Sequence, residues 1–231
     1  MTDSRTLVLF ARAPIPGSVK TRLAGVLSAD GAARLYRAFL EDAARVYAGP
    51  GWSAALYADA DPRDADLAAI FGGDWRLEVQ DPGDLGRRLA AAFEAERSRG
   101  AESVLAVGSD HPALPRKSLA ALFAAVEGED DVALVPAQDG GYCAIALAKG
   151  TPTAAVFREI PWSSERTLEA TVDRARTAGL RVRLLAPGYD VDRPEDLETL
   201  ARDLARRDRS DDDYPHATAR AMALFAPPRP A

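Results

Sequence analysis

The chain has 231 residues, of which 47% are apolar and 28% charged, with a formal net charge of −6. Such a composition is that of an ordinary globular protein long enough to bury a sizeable core, and without a basic excess it lacks the face that nucleic-acid binding requires. A lone cysteine, Cys143, excludes an intrachain disulfide and a cysteine-based zinc site.

In chain order, short apolar runs alternate with longer amphipathic ones. Leu7–Ala11 reads as a buried strand; it is too short for a signal-peptide core or a membrane span, so the expected location is the cytoplasm. Leu35, Tyr36, Phe39, Leu40, Ala43 and Val46 recur at helical spacing, and Ser28 stands where an N-cap belongs. Ala54–Ala58, bounded by Gly49-Pro50-Gly51 and by Asp59–Pro62, and Leu77–Gln80 are the next strands. Gly86–Arg97 is a helix with Leu89 and Phe93 inward. Val104–Val107 is a strand, and Leu119, Leu122, Phe123 and Val126 mark a helix. Val132–Val135 and Cys143–Leu147 are strands joined by the polar link 136–141. No helix separates them, so they form an antiparallel or crossing excursion from an otherwise parallel set. Ser164–Ala178 is a helix, Arg181–Leu185 a strand, and Pro194–Ala205 a helix with proline in its first turn. Residues 207–214 read as a charged loop. One domain over residues 1–225 is expected, with a frayed proline-rich tail at 226–231.

Alternating strands and helices imply a mostly parallel sheet covered on both faces. Such sheets bind ligands at the carboxyl ends of their strands, and the chemistry-bearing residues fall there. Ala11–Arg22 follows the first strand. Gly17 and the backbone N–H groups after it can form an anion-binding concavity, and Lys20 and Arg22 supply charge for a di- or triphosphate. The spacing is neither a P-loop nor a GxGxxG fingerprint, and a solvated basic loop stiffened by prolines is the plain alternative. Asp110, at the end of a buried strand, is a ligand for magnesium or manganese, or else a turn cap beside an exposed His111. Asp190 and Asp192 alternate, so in an extended stretch they point the same way and suit the same cation; one of them can instead cap the following helix. Gln138-Asp139-Gly140-Gly141-Tyr142 permits close backbone approach, with Tyr142 free to meet a sugar or acceptor, but Asp-Gly is also a strong hairpin signal, and on pattern alone the hairpin is favoured. Gln80 to Arg88 links a strand to a helix and can read a nucleobase. Trp162 lines an acceptor site or simply packs, with Ser164 as the cap of the next helix.

Taken together, Phe10-Ala11-Arg12-Ala13-Pro14-x-Pro16-Gly17-x-Val19-Lys20-Thr21-Arg22-Leu23, Gly83-Asp84-Leu85-Gly86, Gly108-Ser109-Asp110-x-Pro112-x-Leu114, Asp139-Gly140-Gly141-Tyr142, Pro161-Trp162-Ser163 and Asp190-x-Asp192 resemble the DUF2064 family, also described as radical-SAM/selenodomain-associated transferase 1. The resemblance spans roughly residues 6–200. It implies an α/β fold, a GT-A-like three-layer sandwich with a mostly parallel central sheet, of the nucleotide-diphospho-sugar transferase superfamily. It also implies nucleotide and phosphate binding at Ala11, Ala13, Gly17, Lys20 and Arg22, base recognition at Gln80, Asp84, Leu85 and Gly86, and a divalent cation, Mg²⁺ or Mn²⁺, on Asp110, Asp192 and Asp190. Gly140, Gly141, Tyr142 and Trp162 then face the acceptor or sugar. This chain departs from the pattern at His111, where a small residue is expected, and at Cys143, where an aromatic is common.

The expected activity is metal-dependent transfer from a nucleotide or nucleotide-sugar donor to a small-molecule acceptor. In glycosyl transfer, Lys20 and the metal stabilise the departing nucleotide and Asp139 serves as base. In nucleotidyl transfer, a phosphorylated acceptor attacks a nucleoside triphosphate and pyrophosphate leaves, with Lys20, Arg22 and Asp110 at the reacting phosphates. A nucleotide-binding regulator without catalysis is the third reading, against which the carboxylates argue.

Overall fold

A computed structural model describes residues 4–61 and 66–225. Pro62 and the expected tail at 226–231 lie outside the described residues. In chain order the elements are β1 (Arg5–Ala11), a 3-10 turn (Thr21–Leu23), α1 (Ala29–Val46), β2 (Ser53–Ala58), α2 (Leu67–Ile70), β3 (Trp75–Val79), α3 (Leu85–Ser98), β4 (Ser103–Gly108), α4 (Arg116–Glu127), β5 (Val132–Pro136), β6 (Tyr142–Leu147), α5 (Ala154–Phe157), α6 (Thr167–Thr177), β7 (Val182–Leu184), α7 (Pro194–Arg206) and α8 (His216–Phe225). The seven strands form one sheet in the order β3-β2-β1-β4-β6-β5-β7. β1 pairs in parallel with β2 and β4, β2 with β3, and β5 with β7, while β6 runs antiparallel to both its neighbours. The excursion expected around Asp139 is therefore the β5–β6 hairpin.

Side-chain alternation along the strands builds two cores. Leu7, Leu9, Leu56, Leu105, Val107 and Val135 face one layer of helices, in which α1, α4, α7 and α8 bury Leu35, Phe39, Phe123, Leu200 and Ala217. Val8, Ala55, Val104, Leu134, Ile145 and Leu147 face the other, against Leu89 and Phe93 of α3, Phe157 of α5 and Val172 of α6. Each such side chain taken fully from water contributes about 1.5–3 kcal/mol before the entropy of ordering it is counted. The result is the three-layer, mostly parallel α/β architecture the sequence implied.

Local signals explain most boundaries. Ser28 caps α1 by accepting the Gly31 N–H, and Asp84 caps α3 by accepting that of Arg87. Three differences have physical causes. β3 starts two residues earlier than its apolar pattern, because Trp75 packs edge-on to Phe71 and donates its indole N–H to the Ala44 carbonyl. α6 begins at Thr167, not Ser164: the Ser164 hydroxyl donates back to the Pro161 carbonyl, and Thr167 does the same. α8 lies beyond the last helix expected from the sequence. Its first N–H groups, at Ala217 and Thr218, donate to the carboxylate of Asp42, buried on α1 and far away in sequence.

Candidate nucleotide–phosphate site

The parallel arrangement brings the carboxyl ends of β1, β2, β3 and β4 to one edge of the sheet. The chain leaving β1 makes a tight turn, with Ser18 N–H donating to the Ile15 carbonyl. Pro16 and Gly17 are its central residues, and Gly17 has φ +78° with open space around a would-be Cβ. The glycine is thus required by backbone conformation and not by crowding, as in a type II turn. Lys20 follows in the left-handed region as well, at φ 49° and ψ 36°. A non-glycine residue held there costs on the order of 1–3 kcal/mol and persists only when its surroundings fix it.

The surroundings of Lys20 are specific. Its side chain is 3% exposed, and its ammonium lies 2.5 Å from Asp110 Oδ1 and 2.7 Å from Asp192 Oδ1. Beneath it are the rings of Tyr36 and Phe39, at 5.7 and 5.8 Å from the nitrogen, a cation–π arrangement. The carboxylates themselves remain open to water, with Asp110 42% and Asp192 34% exposed. Burial alone would raise the Asp192 carboxyl, but the charge and hydrogen bond of Lys20, with a contribution from Arg22, outweigh it and hold the group below the usual carboxylate range. Arg22 is exposed. The 186–192 segment is stitched to β4 through Val191 N–H on the Asp110 carbonyl, and through His111 Nδ1 with the Tyr189 carbonyl at 3.1 Å.

A second layer holds this arrangement in place. The Tyr36 hydroxyl accepts the Arg12 N–H at 3.0 Å and shares a 2.7 Å hydrogen bond with Ser109. Asp59, at the end of β2, accepts the Ala13 N–H and lies 3.9 Å from the Arg12 guanidinium. The Gln80 amide donates to the carbonyls of Ala11 and Tyr57, and its oxygen accepts from Arg88. Ala11, Ala13, Gln80 and Asp84 therefore already have partners within the protein. Leu85 is 42% exposed. Gly86 is a packing requirement: a Cβ there would lie 2.6 Å from the Phe157 carbonyl and from the Trp162 indole nitrogen.

On the other half of the edge, Asp139 is exposed and accepts the Gly141 N–H within the hairpin turn. Gly140, at φ +88°, presses on the Glu165 backbone, two residues before α6. The Tyr142 hydroxyl is buried, and its ring meets Trp162 edge-on at 6.4 Å, with Phe157 also against the indole at 6.5 Å. Burial, and after it the neighbouring Asp139, raises the Asp190 carboxyl, whereas Lys20 lowers that of Asp192. Cys143 is buried beside the turn, and a Cβ on Gly188 would strike its sulfur at 2.8 Å.

The structure thus gathers Lys20, Asp110 and Asp192 at one point. It leaves Arg22 at the rim and distributes Asp190, Asp139, Tyr142 and Trp162 around the hairpin. Among the described residues no three carboxylate, histidine or cysteine side chains surround a common point. Two carboxylates are nonetheless a suitable donor set for a hard divalent cation that takes its remaining ligands from substrate phosphates and water. Tyr36, Ser109 and Asp59 were not singled out from sequence. Asp59 carries the signal that marked Asp110, an aspartate just past a parallel strand, whereas Tyr36 reads only as a core position of α1.

A family model described as an uncharacterized protein conserved in bacteria (DUF2064) matches residues 42–164. The crystal structure of a "putative nucleotide-diphospho-sugar transferase" from Desulfovibrio desulfuricans G20 is 29% identical, with a TM-score of 0.85, covering 97% of this chain and 99% of that one. A cytidylyltransferase from Leptospira borgpetersenii shares the fold at 13% identity and a TM-score of 0.57, covering 97% of this chain and 94% of its own. A 4-diphosphocytidyl-2C-methyl-D-erythritol synthase from Anaerococcus prevotii does so at 13% identity and a TM-score of 0.56, covering 88% of this chain and 98% of that one. No curated protein matches the sequence.

Proposed function

We propose that this chain, which belongs to the DUF2064 family, is a metal-dependent transferase that takes its donor as a nucleotide-activated group, with a nucleotide sugar as the donor and a small molecule as the acceptor. The observation that carries the reading is the convergence of Lys20, Asp110 and Asp192 at the strand-end edge. One buried cation facing two water-exposed carboxylates beside a glycine turn is a poor stabilising device for a fold, and a good one for holding a diphosphate. The name of the Desulfovibrio protein points the same way.

Lys20 binds the diphosphate and stabilises the negative charge that grows on the departing nucleotide. Arg22, at the rim, adds a second cation. Asp110 and Asp192 would hold Mg²⁺ or Mn²⁺, and that ion would supply Lewis-acid stabilisation of the same leaving group. Gly17 and its neighbours let the phosphates approach the backbone. Gln80, Asp84 and Leu85 border the base, with Gln80 acting through the carbonyls it fixes. Asp139, exposed on the hairpin, accepts the acceptor's proton, with Tyr142 and Trp162 shaping that side. The single buried thiol is in keeping with a cytoplasmic location.

Nucleotidyl transfer is the second reading. It is favoured by the paired cations Lys20 and Arg22 beside the strand-end carboxylate Asp110, which suit a triphosphate, and by the fold shared with a cytidylyltransferase. Product analysis separates the two. Release of a nucleoside diphosphate from a nucleotide sugar, dependent on Mg²⁺ or Mn²⁺ and on Asp110, is the expected result. Release of pyrophosphate from a nucleoside triphosphate with a phosphorylated acceptor, without the first activity, would replace glycosyl by nucleotidyl transfer.

A further inference from the structure

We infer that the Lys20 ammonium is a built-in placeholder for the divalent cation, so that the protein has little affinity for the free metal until donor phosphates draw Lys20 away. The inference rests on the assignment of Asp110 and Asp192 as metal ligands. What carries it is where Lys20 sits. A lysine waiting for phosphate in an open loop would extend into water, where its charge is best solvated. Lys20 instead is 3% exposed, with its nitrogen between Asp110 Oδ1 and Asp192 Oδ1. Its backbone adopts a left-handed conformation that lysine disfavours, and its side chain is turned inward. The rings of Tyr36 and Phe39 close the space below it. One oxygen of each carboxylate that would ligate a cation is thereby already partnered by an ammonium.

The electrostatics set the order of events. With Lys20 between them, the two carboxylates carry a single excess negative charge, and a divalent ion must displace the ammonium to reach them. Donor phosphates offer Lys20 an alternative partner of higher charge density. Once Lys20 moves to the phosphates, both carboxylates are freed, and a cation arriving there is shared with the phosphates as well. Donor and metal consequently bind together, and neither carboxylate is exposed to free metal as an empty site.

The experiment is a titration of Mn²⁺ alone, followed by electron paramagnetic resonance of the free ion, against the wild-type chain and its variants. Wild type should bind weakly. Lys20→Met should gain at least tenfold in Mn²⁺ affinity, and adding Asp110→Asn to it should abolish the gain. Lys20→Arg, which keeps a positive charge between the carboxylates, should remain at the wild-type level and serves as the control for a loop disturbed by substitution. Melting curves of the wild type, of these three variants and of Asp110→Asn alone check that each is folded. If wild type binds Mn²⁺ as tightly as Lys20→Met, and Asp110→Asn weakens both, the metal ligands stand and the placeholder role is overturned. If Lys20→Met gains nothing while a donor stabilises the wild type only with Mn²⁺ and Asp110, the placeholder role is again overturned. If no variant binds Mn²⁺ and no donor makes the wild type do so, the metal assignment itself fails and the inference falls with it.

Discussion

The β1–β4 half of the strand-end edge and the β5–β6 half treat their polar and small residues in opposite ways. In the first, Lys20, Asp110 and Asp192 direct their charges at one another, and no helix or strand is capped or closed by those side chains. In the second, Gly140 is fitted against the Glu165 backbone, and Asp139 closes its own hairpin turn. Residues that the fold does not use are the ones available to a ligand. Substitutions in the first half should therefore alter binding and spare the fold, and substitutions in the second should do the reverse.

The largest effect is expected where packing is tightest. Gly140→Ala combines a positive φ with overlap of the Glu165 carbonyl, and its new Cβ would lie 2.6 Å from the Glu165 Cα. It should destabilise the protein by about 3 kcal/mol or more, lowering the melting temperature by roughly 6–12 °C. A melting curve superimposable on the wild type would show that the hairpin can move away from α6 and would blur the contrast between the halves.

Lys20→Met tests the opposite half. Losing a cation from a desolvated anion site costs about 2–5 kcal/mol of binding, so donor affinity measured by calorimetry should fall by roughly a hundredfold, with the fold retained. An unfolded variant, or unchanged affinity, would place Lys20 among the structural residues instead.

Tyr36→Phe comes next, because Tyr36 belongs to both categories. It keeps the ring under Lys20 but leaves the Arg12 N–H and the Ser109 hydroxyl without their shared partner. The loss should be about 1–3 kcal/mol, divided between melting temperature and donor affinity. A loss confined to melting temperature would make the tyrosine a purely structural part of α1.

The smallest effect is a pH dependence. Asp192 titrates below its ordinary value of 3.8 when folded: burial opposes this, but Lys20 and Arg22 outweigh burial. A group with a depressed folded value stabilises the protein fully above its unfolded value, and that contribution is lost as pH falls through the folded one. Wild type should therefore lose stability more steeply below about pH 4 than Asp192→Asn does. Parallel acid-unfolding curves for the two proteins would contradict the ion pair.

The alternation of strands and helices, the cap at Ser28 and the antiparallel excursion around Asp139 were legible because each rests on local spacing. α8 was not: the N–H groups of its first turn are held by Asp42, a residue whose proximity depends on α1 and α8 packing side by side. The same distinction holds at the site. Asp110 stands out as an aspartate at a strand end and Asp192 as one of an alternating pair before a helix, but nothing in their spacing says that Lys20 bridges them, since that contact needs the β1 loop, the β4 end and the 186–192 segment in place. Conversely, Gly86 reads as part of a base-recognition segment through the family resemblance, and Gly140 as part of a favoured hairpin that also permits close backbone approach. In the fold a Cβ at either would strike a neighbour, because sequence does not tell a glycine that admits a ligand from one that admits another part of the chain.

The most direct measurement is thermal unfolding of the wild type and Asp110→Asn against a panel of nucleoside triphosphates and nucleotide sugars, each with and without Mg²⁺ or Mn²⁺. A ligand that binds the native state raises the melting temperature by mass action. At least one nucleotide should stabilise the wild type only when the metal is present, and should leave Asp110→Asn unmoved. No shift with any nucleotide, or an equal shift in Asp110→Asn, would contradict the assignment of Lys20, Asp110 and Asp192 to a nucleotide–phosphate site.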